Sequence, residues 1–442
     1  MLAIRTFLYE QVYASSQSNN AKDIPLHVSG FARRIHGWSW QAFPIVMGTS
    51  TVYMTLSNLK HHPAFVSRIE TVFFFFNIVL FLLNIFMLLS QAILFPRHAW
   101  TLLRDPIQGI FVPLMVLSLA TIVIGTVNYD ITYGHIGPDL IYALFWQRRL
   151  RIYLAFSIAA CFPMLKIWFS QSHDLAHFAP AYAFLVFPLM LTGIVAANTL
   201  KVIDASDPRA LGLLLVGYIV HGLGFFMAFF YLAIYILRAI LETKTQTNGF
   251  MHGRQANGAF VACGPPGFSA LTLITLGDHA RTILPARGYI ADIAGDVWYS
   301  ASVLASLLLY GLALFFFIFG LMPYRFSLRR HMNEILGCWA LTFPNVGWIT
   351  TTRSLGDIFQ IQGFFTFHLI MTILMCITWL VLFIFTVIAI CKGRIFKSRR
   401  EDVIRDIQAE ESEGAPAGKT EDSPMIPSST HHSEGSSRTV TV

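Results

Sequence analysis

Apolar residues in this chain come in long unbroken runs, not in two-residue alternation or as a narrow helical stripe. Ten runs can be placed, at about 41–59, 71–95, 107–128, 150–169, 180–199, 211–240, 259–277, 297–320, 333–352 and 364–391. Each has roughly the twenty residues that a helix rising 1.5 Å per residue needs to cross about 30 Å of hydrocarbon. The pattern predicts an all-α polytopic membrane protein with ten transmembrane helices.

Prolines divide the ten runs into two kinds. Pro44 falls in the first, Pro113 in the third, Pro188 in the fifth, Pro265 and Pro266 in the seventh, and Pro344 in the ninth. Even-numbered runs carry none near their middles except Pro163 in the fourth. A proline lacks the N–H that a helix interior needs and clashes with the turn before it, so each is expected to mark a kink. Backbone freed by a kink is tolerated in a membrane only against protein or a watery lumen. Five consecutive helical hairpins follow, each with one breakable and one regular helix, the breakable five surrounding a central pore.

The segment Trp339–Arg353 is the richest of the breakable set, with Thr342, Asn345, Thr350, Thr351 and Thr352 placed around Pro344. Similar small or polar groups interrupt the first run at Met47, Gly48 and Thr49, and the seventh at Gly264, Phe268 and Ser269. Helices that resume after a break offer free N–H groups and a positive dipole end to an anion.

Composition agrees with the membrane reading. Of 442 residues 55% are hydrophobic and only 12% charged, about half the charge share of a soluble protein. The net charge of +7 does not suggest nucleic-acid binding, because the basic residues sit in short loops and at run ends, where they set topology. Their bias predicts both termini in the cytoplasm. Residues 1–36 are expected to form a cytoplasmic segment whose basic, aromatic stretch from Gly30 to Trp40 lies at the interface, Arg33 and Arg34 toward headgroups and Phe31, Ile35 and Trp38 toward acyl chains. Residues 37–395 form the ten-helix domain. From 396 to 442 the composition predicts a disordered cytoplasmic tail.

Candidate chemistry is sparse. Five cysteines are scattered, without disulfide or metal spacing. No nucleophile with a base, phosphate loop or zinc pattern is visible, so neither an enzyme nor a cofactor or metal is expected. The breakable runs hold almost no deep charge, and His221 and His368 read as hydrogen-bonded packing residues. A neutral lumen of hydroxyls, amides and dipole ends suits anions, with Arg148, Arg149, Arg151 and above all Arg353 as candidates for an outer vestibule.

Met47-Gly48-Thr49-Ser50, Cys263-Gly264-Pro265-Pro266-Gly267-Phe268-Ser269-Ala270 and the stretch from Trp339 to Gly347 resemble the tellurite-resistance/dicarboxylate transporter family. Its fungal malic acid permeases look most similar, and slow-type anion channels and sulfite efflux pumps share the pattern. The resemblance spans about residues 35–395. Before the seventh run, where malate permeases tend to read Arg-Pro-Gly-Met-Phe, this chain has Arg254-Gln-Ala-Asn-Gly-Ala-Phe260.

The resemblance implies ten helices as five hairpins, a pore through the odd-numbered ones, and Phe343 as the ring that plugs it. Met47, Gly48, Thr49, Phe187, Gly264, Phe268, Ser269, Thr342 and Asn345 are the candidates to line the pore or touch substrate. Pro44, Pro113, Pro188, Pro265, Pro266 and Pro344 are the expected kinks. The expected function is passage of C4-dicarboxylate anions, malate foremost, across the plasma membrane, with sulfite efflux or a non-conducting sensor as alternatives. Expected partners are small organic acid anions, with protons as a coupling ion left open, the lipid bilayer and two further copies in a homotrimer.

Overall fold

The computed structural model describes residues 28–132, 140–175, 178–241, 256–322 and 335–414, which are helical with no strand among them. Thirteen helices are α1 Gly30–His36, α2 Phe43–Leu56, α3 Ala64–Leu94, α4 Pro96–Arg104, α5 Leu114–Thr132, α6 Leu140–Phe169, α7 Phe187–Leu200, α8 Pro208–Leu241, α9 Ala256–Arg287, α10 Ala294–Leu321, α11 Phe343–Phe359, α12 Gln362–Cys391 and α13 Arg400–Gly414. A single turn, Ile335–Cys338, precedes α11.

Among the described residues seven stretches are long and apolar enough to cross a membrane, and they lie on α3, α5, α6, α8, α9, α10 and α12. Burial separates them. The most apolar windows on α3, α6, α10 and α12 are 28% buried and that on α8 is 39%, against 72% for the span on α5 and 89% for that on α9. Shorter helices α2 and α7 are buried almost throughout, as is most of α11. Buried helices therefore alternate along the chain with helices that expose rows of Leu, Ile and Phe. Those rows suit hydrocarbon, which removes any demand for a polar outer face.

Most of the expected kinks are helix starts. Pro44, Pro188 and Pro344 each stand in the first two positions of an α-helix, where the missing N–H has no partner to lose. Before each comes a turn of 3₁₀ helix, Trp40–Ala42, Pro180–Leu185 and Trp339–Leu341 respectively. Pro113 repeats the arrangement behind Gly109–Phe111. The chain thus enters through a 3₁₀ turn and continues as α-helix instead of bending one long helix. Pro265 and Pro266 differ, because α9 runs through them without interruption.

Close approach of backbones fixes the inner packing. A Cβ on Gly347 of α11 would sit 2.4 Å from the backbone nitrogen of Phe268 on α9, and one on Gly267 would sit 2.8 Å from that of Trp348. Only glycine on both helices permits that crossing.

The two ends of the described chain meet on one face. Ser398 donates its N–H to Arg33 O at 3.0 Å, and Arg33 Nε donates to Ser398 O at 3.1 Å. Gln91 Nε2 lies 3.1, 2.8 and 2.8 Å from the carbonyl oxygens of Ile35, His36 and Trp38. Ile35 and Trp38 are buried in protein, with Trp38 Nε1 donating to Asn84 Oδ1 at 3.1 Å, so they do not face acyl chains. Residues 400–414, read from sequence as tail, form α13, whose Val403 is fully buried. The rest of the expected tail, from 415, and residues 1–27 lie outside the described residues.

Candidate functional site

A cavity of about 500 Å³ lies where the 3₁₀ turns converge. Gln41, Phe111, Phe184 and Trp339 come from the four turns, Pro44 and Pro344 from the helices that two of them start, and Gly258 and Val261 from the beginning of α9. The 3₁₀ entries to α2, α5, α7 and α11 and the first described turns of α9 therefore surround one space. Its walls are largely apolar, and a helix N-terminus carries roughly half a positive charge in the low dielectric such walls provide. Part of that potential is taken up by carbonyls at the junction of turn and helix, as when Asn345 N–H donates to Thr342 O at 3.0 Å.

Arg238 brings the full charge. It is buried at the end of α8, lines the cavity, and is anchored by a hydrogen bond from its guanidinium to Phe178 O. Tyr235, one turn earlier on the same face, also lines the cavity, and its buried hydroxyl has no hydrogen-bond partner among the described residues. The sequence reading treats Arg238 as an ordinary topology charge. Its spacing of three from Tyr235 is the one available signal that it turns inward with the core.

Phe343 forms part of the cavity wall and stacks on Phe268, with ring centroids 5.0 Å apart and planes at 29°. Phe268 is not in the wall, so the pair stands between the cavity and the packed interior. Gly264, one turn before Phe268, lies between Phe187 and Pro344: a Cβ there would meet them at 3.1 Å and 3.5 Å. Phe187, Gly264, Phe268, Phe343 and Pro344 thus gather at one level, and Met47 joins Phe343 in the wall.

Other candidates are occupied by packing. Thr49 donates to Ile45 O at 2.8 Å and accepts from Trp379 Nε1 at 3.1 Å. Thr342 donates to Trp339 O at 2.6 Å. Asn345 donates to Leu341 O at 3.0 Å and accepts from Trp348 Nε1 at 2.9 Å. In apolar surroundings a hydroxyl or amide takes the nearest acceptor, which is its own helix one turn back. Gly48 is a contact point for Trp339, whose ring a Cβ would meet at 2.2 Å. Ser269 is fully buried with its hydroxyl unpartnered.

Arg353 lies toward the opposite end of α11. Its Nε donates to Asp357 Oδ2 at 2.8 Å, and its guanidinium carbon lies 5.0 Å from the centre of the Phe365 ring, which Lys60 also approaches at 3.8 Å. His368, on the Phe365 face of α12, is buried with Nε2 unpartnered, as is the Thr372 hydroxyl. His221 Nδ1 bonds Met190 O at 2.6 Å, a packing role.

Residues 37–387 match the family described as SLAC1, voltage-dependent anion channel. The chain belongs to that family. At the level of the family it is an anion-transport protein. Among its relatives, a malic acid transport protein of Schizosaccharomyces pombe is 24% identical over 79% of this chain and 78% of its own length. A sulfite efflux pump, SSU1, of Arthroderma otae is also 24% identical, over 88% of this chain and 98% of its own. A putative malic acid transport protein of Schizosaccharomyces pombe is 22% identical over 84% of both chains.

Proposed function

We propose that this protein carries C4-dicarboxylate anions, malate foremost, across the plasma membrane through a pore lined by α2, α5, α7, α9 and α11. The observation that carries the reading is the convergence of four helix entries, the first described turns of α9 and Arg238 on one largely apolar cavity whose wall includes Phe343. Dipole ends and a guanidinium favour negative charge, and the space is large enough for a four-carbon acid. Phe343, stacked on Phe268, is the gate: a bulky ring in a narrow lumen blocks ions by size and by excluding water.

The reading includes ten crossings arranged as five hairpins. The first and last described helices lie on one face, which requires an even number of crossings. Seven stretches are long enough by themselves. Adding α2, α7 and α11, each lengthened by its 3₁₀ lead-in, gives ten and supports both termini on one side, which the bias of the basic residues makes the cytoplasmic one. A homotrimer, implied by the resemblance, belongs to the same proposal.

Sulfite efflux is the second reading, favoured by the equal identity to a sulfite pump that matches over nearly its whole length. Uptake of labelled malate and of sulfite into proteoliposomes separates the two. Saturable malate uptake absent from empty vesicles is expected. Sulfite flux without malate flux would replace the first reading by the second, and flux of neither would overturn both.

A further inference from the structure

Three side chains from distant parts of the chain point at one spot on the face where the ends meet. His36 at the end of α1 places Nε2 2.8 Å from Asp406 Oδ2 of α13. His98 of α4 places Nδ1 3.3 Å from the same oxygen. The three ligand-capable atoms all lie within 4.8 Å of one another.

The far edge of the His36 ring is occupied. His36 Nδ1 lies 2.7 Å from Ser398 Oγ. A histidine that gives its outer N–H to a neighbour presents the other nitrogen as a lone pair, which is how metal-binding imidazoles are oriented. Two lone pairs and a carboxylate oxygen so close together repel unless a proton or a cation stands among them. The rings are stacked, with centroids 3.9 Å apart and planes at 20°, an arrangement in which two imidazolium ions would repel strongly.

We propose that His36, His98 and Asp406 bind one zinc-class divalent ion, which staples α1 and α4 to α13. Two imidazole nitrogens and one carboxylate oxygen suit Zn²⁺ or Co²⁺, whereas Ca²⁺ and Mg²⁺ ask for six or more oxygens. Solvent reaches the spot, since the side chains of His98 and Asp406 are 24% and 32% exposed. Water can therefore enter as a fourth ligand, and Asp402, one turn before Asp406, adds negative charge at the approach. Coordination in the plane of both rings requires them to splay from their stacked angle. The staple sits beside the transport cavity, whose wall includes Ile395, three residues before Ser398. An ion there would hold the C-terminal helix at the mouth of the pathway.

The test uses the full chain, purified in detergent and stripped with chelator. Titration with Zn²⁺ is followed by calorimetry, and with Co²⁺ by its visible absorption. One equivalent of each is expected, the cobalt form showing the intense bands of four-coordinate geometry. His98→Gln and Asp406→Asn should each weaken that equivalent by about ten- to a hundredfold while keeping a monodisperse elution profile. His62→Gln, which breaks the separate His62–Glu70 contact, should leave it unchanged. Wild type without a stoichiometric site, or with one that survives in both folded variants, would overturn the proposal and leave a hydrogen-bonded clamp.

Discussion

The ring of Phe343 lies on the ring of Phe268, centroids 5.0 Å apart and planes 29° from parallel. One ring belongs to the first residue of α11 and the other to the middle of α9, which puts the junction of two buried helices at the inner end of the cavity.

That stacking makes Phe343→Ala a test of closure. Truncation opens the wall between the cavity and the level of Phe187 and Gly264. Anion leak through proteoliposomes is expected to rise at least about tenfold, as the steric and dewetting barrier falls. Phe268→Ala should give a smaller rise, because Phe343 then loses its support but keeps its bulk. Unchanged leak in both variants at equal reconstitution would remove the pair from the gate.

Arg238 is the full charge buried in the cavity wall. Arg238→Gln should raise the half-saturating concentration for dicarboxylate uptake by about tenfold, equivalent to about 1.4 kcal/mol. Arg238→Lys, which keeps the charge but loses the planar fork, should fall between. Concentration-dependent uptake is the measurement, and an unaltered half-saturation point would assign Arg238 to packing alone.

Gly347→Ala places a methyl group 2.4 Å from the backbone of Phe268, where no flexible side chain can yield. Overpacking of this kind costs about 1–3 kcal/mol or more, so a lower thermal midpoint and a smaller monodisperse fraction are expected. Gly212→Ala on α8 meets nothing within 4 Å and should be neutral or slightly stabilising.

Gln91→Leu removes the donor shared by Ile35, His36 and Trp38 carbonyls. Leaving buried acceptors unmatched costs about 1–3 kcal/mol. Amide exchange across residues 30–40 should accelerate in the variant while that of α9 stays slow. Equal protection in both segments would show that other contacts hold α1.

Much of this arrangement was readable before any coordinates. Prolines 44, 113, 188 and 344 marked four of the five buried helices, because a missing N–H has few tolerable places in hydrocarbon. What they could not convey was whether the chain bends or begins there; both obey the same local constraint. The Gly267–Gly347 crossing lay within quoted motifs, but its partner residues depend on how α9 meets α11. Thr49, Thr342 and Asn345 looked available because a sequence does not say which acceptor a hydroxyl or amide will take. Arg238 was hidden by position, since a basic residue at the end of a span ordinarily faces water. In α13, Val403 and Ile407 stand four apart in an otherwise polar segment, a faint apolar stripe easily lost beside ten strong ones.

The pairing of Arg33 with Ser398 has a consequence for biosynthesis. Its members are 365 positions apart, so the first helix leaves the ribosome long before its partner is made. Until the last span is inserted, α1 has only Gln91 and its neighbours to hold it. A nascent protein stalled short of residue 398 would therefore present an open base, a distinguishing mark by which quality-control machinery could tell an unfinished copy from a completed one.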